Sequence, residues 1–247
     1  MKKTLLCLTT VIATVTALPA QSLRIVPNTS FASDFQTVPV MANVPGAGAV
    51  FQSYVALLNP TASSFPVTVT LFDAAGVQTS ATITLAAGEV KSYENFLDAV
   101  FNRTGGGAVT FRSPDPSNRF IITSEVRTSG TRFSTTVPAL EFTGTNSPSF
   151  VAGVTVSAAT RTNVGCFNQS DVANHITATV LDNTGTQVLG SVDLNLPAHA
   201  WGQTGIPTTV TEGSIRFTPA EAAVCYAVIV DNATADGRFI SAAEYKP

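Results

Sequence analysis

Apolar and polar residues alternate with a period of two over much of this chain. From Pro66, the residues Val67, Val69 and Leu71 alternate with Thr68 and Thr70, and after a turn Ala81, Ile83 and Leu85 alternate with Thr82 and Thr84. Alternation of this kind sets one face of a strand against a core and the other toward water, so the two runs predict a hairpin. The pattern returns at Ile176, Ala178 and Val180, then at Val188, Val192, Leu194 and Leu196. Each predicted hairpin turns on Asp-x-x-Gly. Asp73 and Asp182 supply carboxylates for backbone N–H groups in the turn, and Gly76 and Gly185 tolerate positive φ. These aspartates read as turn formers, not as catalytic acids. One segment departs from the period of two: Glu94 to Asn102 spaces Phe96, Leu97, Val100 and Phe101 as one or two helical turns would. The run Gly105–Gly107 ends that helix and reads as a connector. The matching stretch near Ile206–Val210 carries Pro207 and two threonines, which argues against a second helix.

Five successive blocks of the chain recur. YVALLN (Tyr54–Asn59) aligns with NVGCFN (Asn163–Asn168), and TVTLFDAAG, ending at Gly76, aligns with TATVLDNTG, ending at Gly185. ITLAAG then meets LNLPAH, GAVTF meets GSIRF, and IITSEVRT (Ile121–Thr128) meets CYAVIVDN (Cys225–Asn232). Self-similarity at this spacing predicts two copies of one unit of about 100 residues, each long enough to hold a core. The expected fold class is therefore all-β: two tandem immunoglobulin-like antiparallel β-sandwich domains related by internal duplication, with one short helix in the first. The expected boundaries are 1–20 for an export signal, 38–142 for the first sandwich, 143–148 for a Gly/Thr/Asn/Ser/Pro linker and 149–247 for the second sandwich.

The order of motifs carries a resemblance. VPV at Val38–Val40, YVALLNP, VTVTLFDAAG, ITLAAGE, the Phe-rich helix, GGGAVTF, RTNVG (Arg161–Gly165) and VIVDN (Val228–Asn232) follow one another between Val38 and Lys246. That succession resembles exported bacterial proteins built of tandem immunoglobulin-like sandwiches. The resemblance implies a fold and an extracytoplasmic address; it implies no catalytic residue and no cofactor.

Lys2 and Lys3, an apolar stretch from Thr4 to Leu18, and small residues at Ala17 and Ala20 have the order of a secretory signal cleaved after Ala20. The stretch is shorter than the roughly 20 apolar residues of a membrane span, so no stable span is expected once the signal is removed. The address is then extracellular, periplasmic or the cell surface. Cys7 leaves with the signal, and the even pair Cys166 and Cys225 remains for an oxidising compartment. A disulfide is favoured over two buried free thiols. Val164 beside Cys166, and Ala227 and Ile229 beside Cys225, suggest a bridge that staples two sheets as in immunoglobulin domains. The first copy has Leu57 and Ile121 at the corresponding places.

Charged residues make up 12% of the 247 residues, about half the usual share, while apolar content is an ordinary 45%. Net charge is −3, and −5 without Lys2 and Lys3, so no basic field exists to hold nucleic acid. Gly-x-Ser-x-Gly, Ser-x-x-Lys and paired His on a helix are missing from the sequence, and His175 and His199 stand at no metal-ligand spacing. Glu89 and Glu94 lack counterparts in the second copy and read as surface acids. Asp231 to Gly237 offers oxygens that calcium would accept, yet it reads better as a hairpin loop. No catalytic residue, metal or cofactor is expected. Two features remain as binding candidates. Arg103, Arg112, Arg119, Arg127 and Arg132 crowd into thirty residues; they read first as an edge protected from aggregation and second as a face for an anionic glycan or partner surface. Trp201, the only tryptophan, reads first as packing and second as an interface anchor or as a sugar platform with Tyr93 or Tyr226. The sequence is thus read as a non-enzymatic structural, adhesive or ligand-binding protein with a surface protein or glycan as partner. A carbohydrate-binding module is the alternative, and a secreted hydrolase stands behind both.

Overall fold

The computed structural model describes residues 32–46, 49–129, 133–141 and 144–244. The export signal expected at 1–20, with Cys7, and Arg132 lie outside the described residues. The first half comprises β1 (Phe35–Gly46), β2 (Ala49–Leu58), β3 (Phe65–Phe72), β4 (Gln78–Leu85), β5 (Val90–Tyr93), α1 (Phe96–Phe101), β6 (Gly105–Arg112), β7 (Ile121–Thr128) and β8 (Ser134–Thr136). The second comprises β9 (Ser149–Val156), β10 (Thr160–Asn168), β11 (Asn174–Leu181), β12 (Val188–Leu196), β13 (Trp201–Gly205), β14 (Val210–Pro219), β15 (Ala223–Asp231), β16 (Gly237–Ser241) and β17 (Ala243–Glu244). Among the described residues the protein is all-β and antiparallel, with one short helix.

Both predicted hairpins are present. β3 pairs with β4 from Phe65↔Leu85 to Phe72↔Gln78, and β11 pairs with β12 from Asn174↔Leu196 to Leu181↔Val188. Asp73 Oδ1 accepts from the N–H groups of Ala75 and Val77, and Asp182 Oδ1 from those of Thr186 and Gln187. Gly76 and Gly185 have φ of 79° and 72°, which a side chain would strain. The helix runs from Phe96 to Phe101, capped by Asn95, whose side chain accepts from the Asp98 N–H, and ended by Asn102 in the left-handed region. Its buried stripe packs Phe96 among the rings of Tyr93, Phe101 and Phe111. Each such ring contributes roughly 1.5–3 kcal/mol by leaving water.

The strands of the second half form two sheets, ordered β13-β10-β15-β16 and β12-β11-β14-β9-β17. Val164, Cys166 and Ala227 of one and Ile176, Ile215 and Phe217 of the other meet in a single core. The first half has the corresponding orders, β5-β2-β7-β8 and β4-β3-β6-β1, but its strands are continuous as one eight-stranded sheet. The join is β1, which pairs with β6 over Phe35–Asn43 and then with β2 over Asn43–Gly46. Registers also correspond: Val69↔Phe111 in the first half matches Ala178↔Phe217 in the second.

Three sequence expectations change. Cys166 and Cys225 do form a disulfide, but it does not staple two sheets. They stand directly opposite one another on β10 and β15, neighbours in one sheet, with Cα atoms 4.1 Å apart. The cause is a pairing that runs the whole length of both strands, from Thr160↔Asp231 to Asn168↔Ala223, so both cysteines face the same core. Register also moves the first-half counterpart of Cys225 by one residue: Leu57 lies opposite Ile122, not Ile121. Finally, Gly105–Gly107 is not a connector but the start of β6, where a Cβ on Gly106 would come within 2.8 Å of the Trp201 ring.

The two halves share a broad seam. Tyr226 of β15 is fully buried within the core cluster of the first half, and Trp201, Val228 and Phe239 pack against that same cluster. The expected linker is also fastened: Thr145 exchanges two backbone hydrogen bonds with Ala223, and the Gly144 N–H donates to Gln169 Oε1.

Candidate functional site

Strand register builds one groove across the seam. Phe35 at the start of β1 lies opposite Arg112 at the end of β6, and the guanidinium sits 4.7 Å above the Phe35 ring. Phe72 ends β3 on the outer face of its sheet, because Leu71 before it turns into the core. There Phe72 meets Phe167 of β10, with ring centroids 4.8 Å apart, and the His199 ring at 6.1 Å. Phe72 and Phe167 are buried and form the floor; Gln78, Thr110 and Gln169 complete a groove of about 350 Å³. His199 stands on a turn with φ of 57°, and its Nε2 lies 2.8 Å from Asp171 Oδ1. Arg112 is exposed, and among the described residues it forms no ion pair with a carboxylate. The groove therefore offers a cation, two amides and an acid-paired imidazole around aromatic faces, a set suited to a carboxylate-bearing ligand.

Two of the arginines crowded in sequence, Arg112 and Arg127, lie on strands that are not neighbours. Arg112 ends β6 and Arg127 lies on β7, with β1 and β2 between them in the strand order. Arg127 is also engaged: it donates to Glu94 Oε2 at 2.7 Å and Glu125 Oε2 at 3.1 Å, and stacks 3.6 Å from the Tyr54 ring centroid. The two glutamates outweigh desolvation and hold its pKa above the ordinary arginine value. Arg119 is exposed in the loop after β6. Trp201 is half-buried in the seam, where its Nε1 donates to Tyr226 Oη at 3.0 Å and Tyr226 Oη donates to Gln203 Oε1 at 3.1 Å. Burial pushes the Tyr226 phenol well above its ordinary range, and the hydrogen bond from Trp201 opposes only part of that. Tyr93 packs edge-on against Phe96 in the first core.

The remaining acids have local work. Glu89 accepts from the Ala86 N–H, which lowers its pKa, and pairs with Lys91. Asp231 Oδ1 accepts from the N–H groups of Ala233 and Thr234, closing the hairpin before β16. Among the described residues, no three His, Cys, Asp or Glu side chains converge as metal ligands, and no helix is long and apolar enough to cross a membrane. Sequence reading missed Phe35, Phe72 and Phe167, whose only mark was an aromatic at a strand end. No protein-family model matches the chain, and no curated protein matches it.

Proposed function

We propose that this chain is an exported, non-enzymatic binding protein in which two immunoglobulin-like units, descended from a duplicated one, act as a single rigid adhesive body. Its partner is an anionic polysaccharide of the cell surface, taken across the groove between Arg112 and His199. The observation that carries this reading is the Arg112 guanidinium, exposed above Phe35 with no carboxylate paired to it among the described residues. A planar fork held over the Phe35 ring turns its donors to a carboxylate, and the Phe72 and Phe167 rings in the same groove offer apolar surface to the rest of a sugar acid. Matching strand orders in the two halves support duplication. The Cys166–Cys225 bridge is compatible with an oxidising compartment. The non-enzymatic reading rests on the missing nucleophile and metal motifs of the sequence.

Co-sedimentation of the purified protein with isolated cell envelopes and with insoluble acidic and neutral polysaccharides tests the proposal. Saturable pelleting with the acidic polymers or the envelopes is expected, weakened by salt and reduced about tenfold or more by Arg112→Gln, the scale of one charge-assisted contact. Protein that stays in the supernatant, or an Arg112→Gln variant that pellets like the parent, overturns it.

A further inference from the structure

A second cavity, of about 130 Å³, opens at another part of the seam. Its walls are mainly apolar: Val40, Phe51, Val126 and Val137 come from the first half, and Val228 and Val230 from β15. Its polar groups are the Thr135 hydroxyl of β8 in the first half and three side chains of the second half, where Arg161 and Asn163 alternate on one face of β10 and Gln203 lies on the neighbouring β13. These groups have donors to spare. Arg161 Nη1 donates to Asn232 Oδ1 at 2.8 Å, and among the described residues the guanidinium meets no carboxylate. The Asn163 amide makes no hydrogen bond among the described residues. Gln203 uses its oxygen to accept from Tyr226, which leaves its NH2 group as donor.

We propose that this cavity binds a small amphiphilic monocarboxylate. Volume sets the apolar body: a dry cavity of about 150 Å³ holds one benzene ring, so a single ring or a short branched chain fits. Chemistry sets the head group: a guanidinium and two amide NH2 groups form a donor-rich rim on an otherwise apolar seam, and a carboxylate supplies acceptors and the opposite charge. The site needs both halves, since the first provides most of the apolar wall and the second the guanidinium and both amide NH2 groups. It is separate from the Arg112 groove, which shares none of its lining residues.

The test titrates the full chain with benzoate, phenylacetate and 4-methylpentanoate, against benzamide and benzyl alcohol as uncharged controls. Calorimetry reads affinity, and Trp201 fluorescence reports the site through the Trp201–Tyr226–Gln203 hydrogen bonds. Saturable binding of at least one carboxylate is expected, at least tenfold tighter than its uncharged control. Arg161→Gln removes that preference, Asn232→Ala retains it, and Val228→Phe fills the cavity and abolishes binding. Thermal melts of each variant separate lost binding from lost fold, and Arg112→Gln leaves this binding unchanged, which isolates it from the polysaccharide proposal. No saturable binding by any of the three acids overturns the inference, as does equal binding of the uncharged controls or undiminished binding by folded Arg161→Gln.

Discussion

Asn59 and Asn168 hold their loops through the same set of bonds. Asn59 Nδ2 donates to the carbonyls of Ser63 and Ala86, both at 2.8 Å, while its Oδ1 accepts from the Thr61 N–H. Asn168 Nδ2 donates to the carbonyls of Val172 and Pro197 at 2.8 and 2.7 Å, while its Oδ1 accepts from the Ser170 N–H. Both side chains are fully buried. In each half one amide thus ties the loop after the second strand to the turn that follows the hairpin.

Replacing either asparagine by alanine leaves two carbonyls and an N–H without their partner. We expect Asn59→Ala and Asn168→Ala each to lose about 2–4 kcal/mol in urea unfolding. Faster amide exchange at Thr61 in the one and Ser170 in the other would locate the effect.

The disulfide closes a loop of 59 residues within one sheet. Cys166→Ala with Cys225→Ala should lower stability by about 2–5 kcal/mol while preserving the far-ultraviolet dichroism spectrum. The fold survives because the same place in the first half is held by Leu57 opposite Ile122, without a bridge.

Tyr226 gives the protein an alkaline limit. Its phenol is neutral in the fold, with a pKa raised from the ordinary 10 by complete burial, whereas in the unfolded chain it ionises near pH 10. Stability from this residue is therefore fully present below pH 10 and declines as pH rises above it, by roughly 1.4 kcal/mol per pH unit. Chemical denaturation between pH 9 and 12 should show the decline, and Tyr226→Phe should flatten it.

Asp182 acts at the other extreme. Its pKa is lowered from 3.8, chiefly by the Thr184 hydroxyl and then by the Gln187 N–H, so the carboxylate favours the folded hairpin above that value. The contribution is lost as pH falls below about 4 toward the folded-state pKa. Carboxyl titration by NMR should place Asp182 below ordinary aspartates, and Asp182→Asn should remove its share of the acid dependence of melting.

The hairpins and the helix were legible because their causes are local: alternation, Asp-x-x-Gly, and the spacing of Phe96, Leu97 and Phe101. The disulfide was legible as a pair but not as a geometry, since opposition of Cys166 and Cys225 depends on a register between distant strands. The seam left a mark that went unread. β15 runs Ala-Val-Cys-Tyr-Ala-Val-Ile-Val, apolar on both faces, which is the pattern of a strand covered from two sides. Neither the groove at Arg112 nor the cavity at Arg161 could be seen in advance. Counting arginines along the chain joined Arg112 to Arg127, which β1 and β2 separate in the strand order, while Phe35, Phe72 and Phe167 come together only through topology.

Tyr226 has a consequence for the order of events during synthesis. A chain grows from its N-terminus, and domains of many proteins complete themselves as soon as their own residues have emerged. Here the core around Phe96 and Phe111 lacks its cover until β13, β15 and β16 exist, more than sixty residues beyond the last strand of the first half. Until they do, Val40, Val126 and Val137 of the nascent first half lack the second-half strand that closes the seam against them.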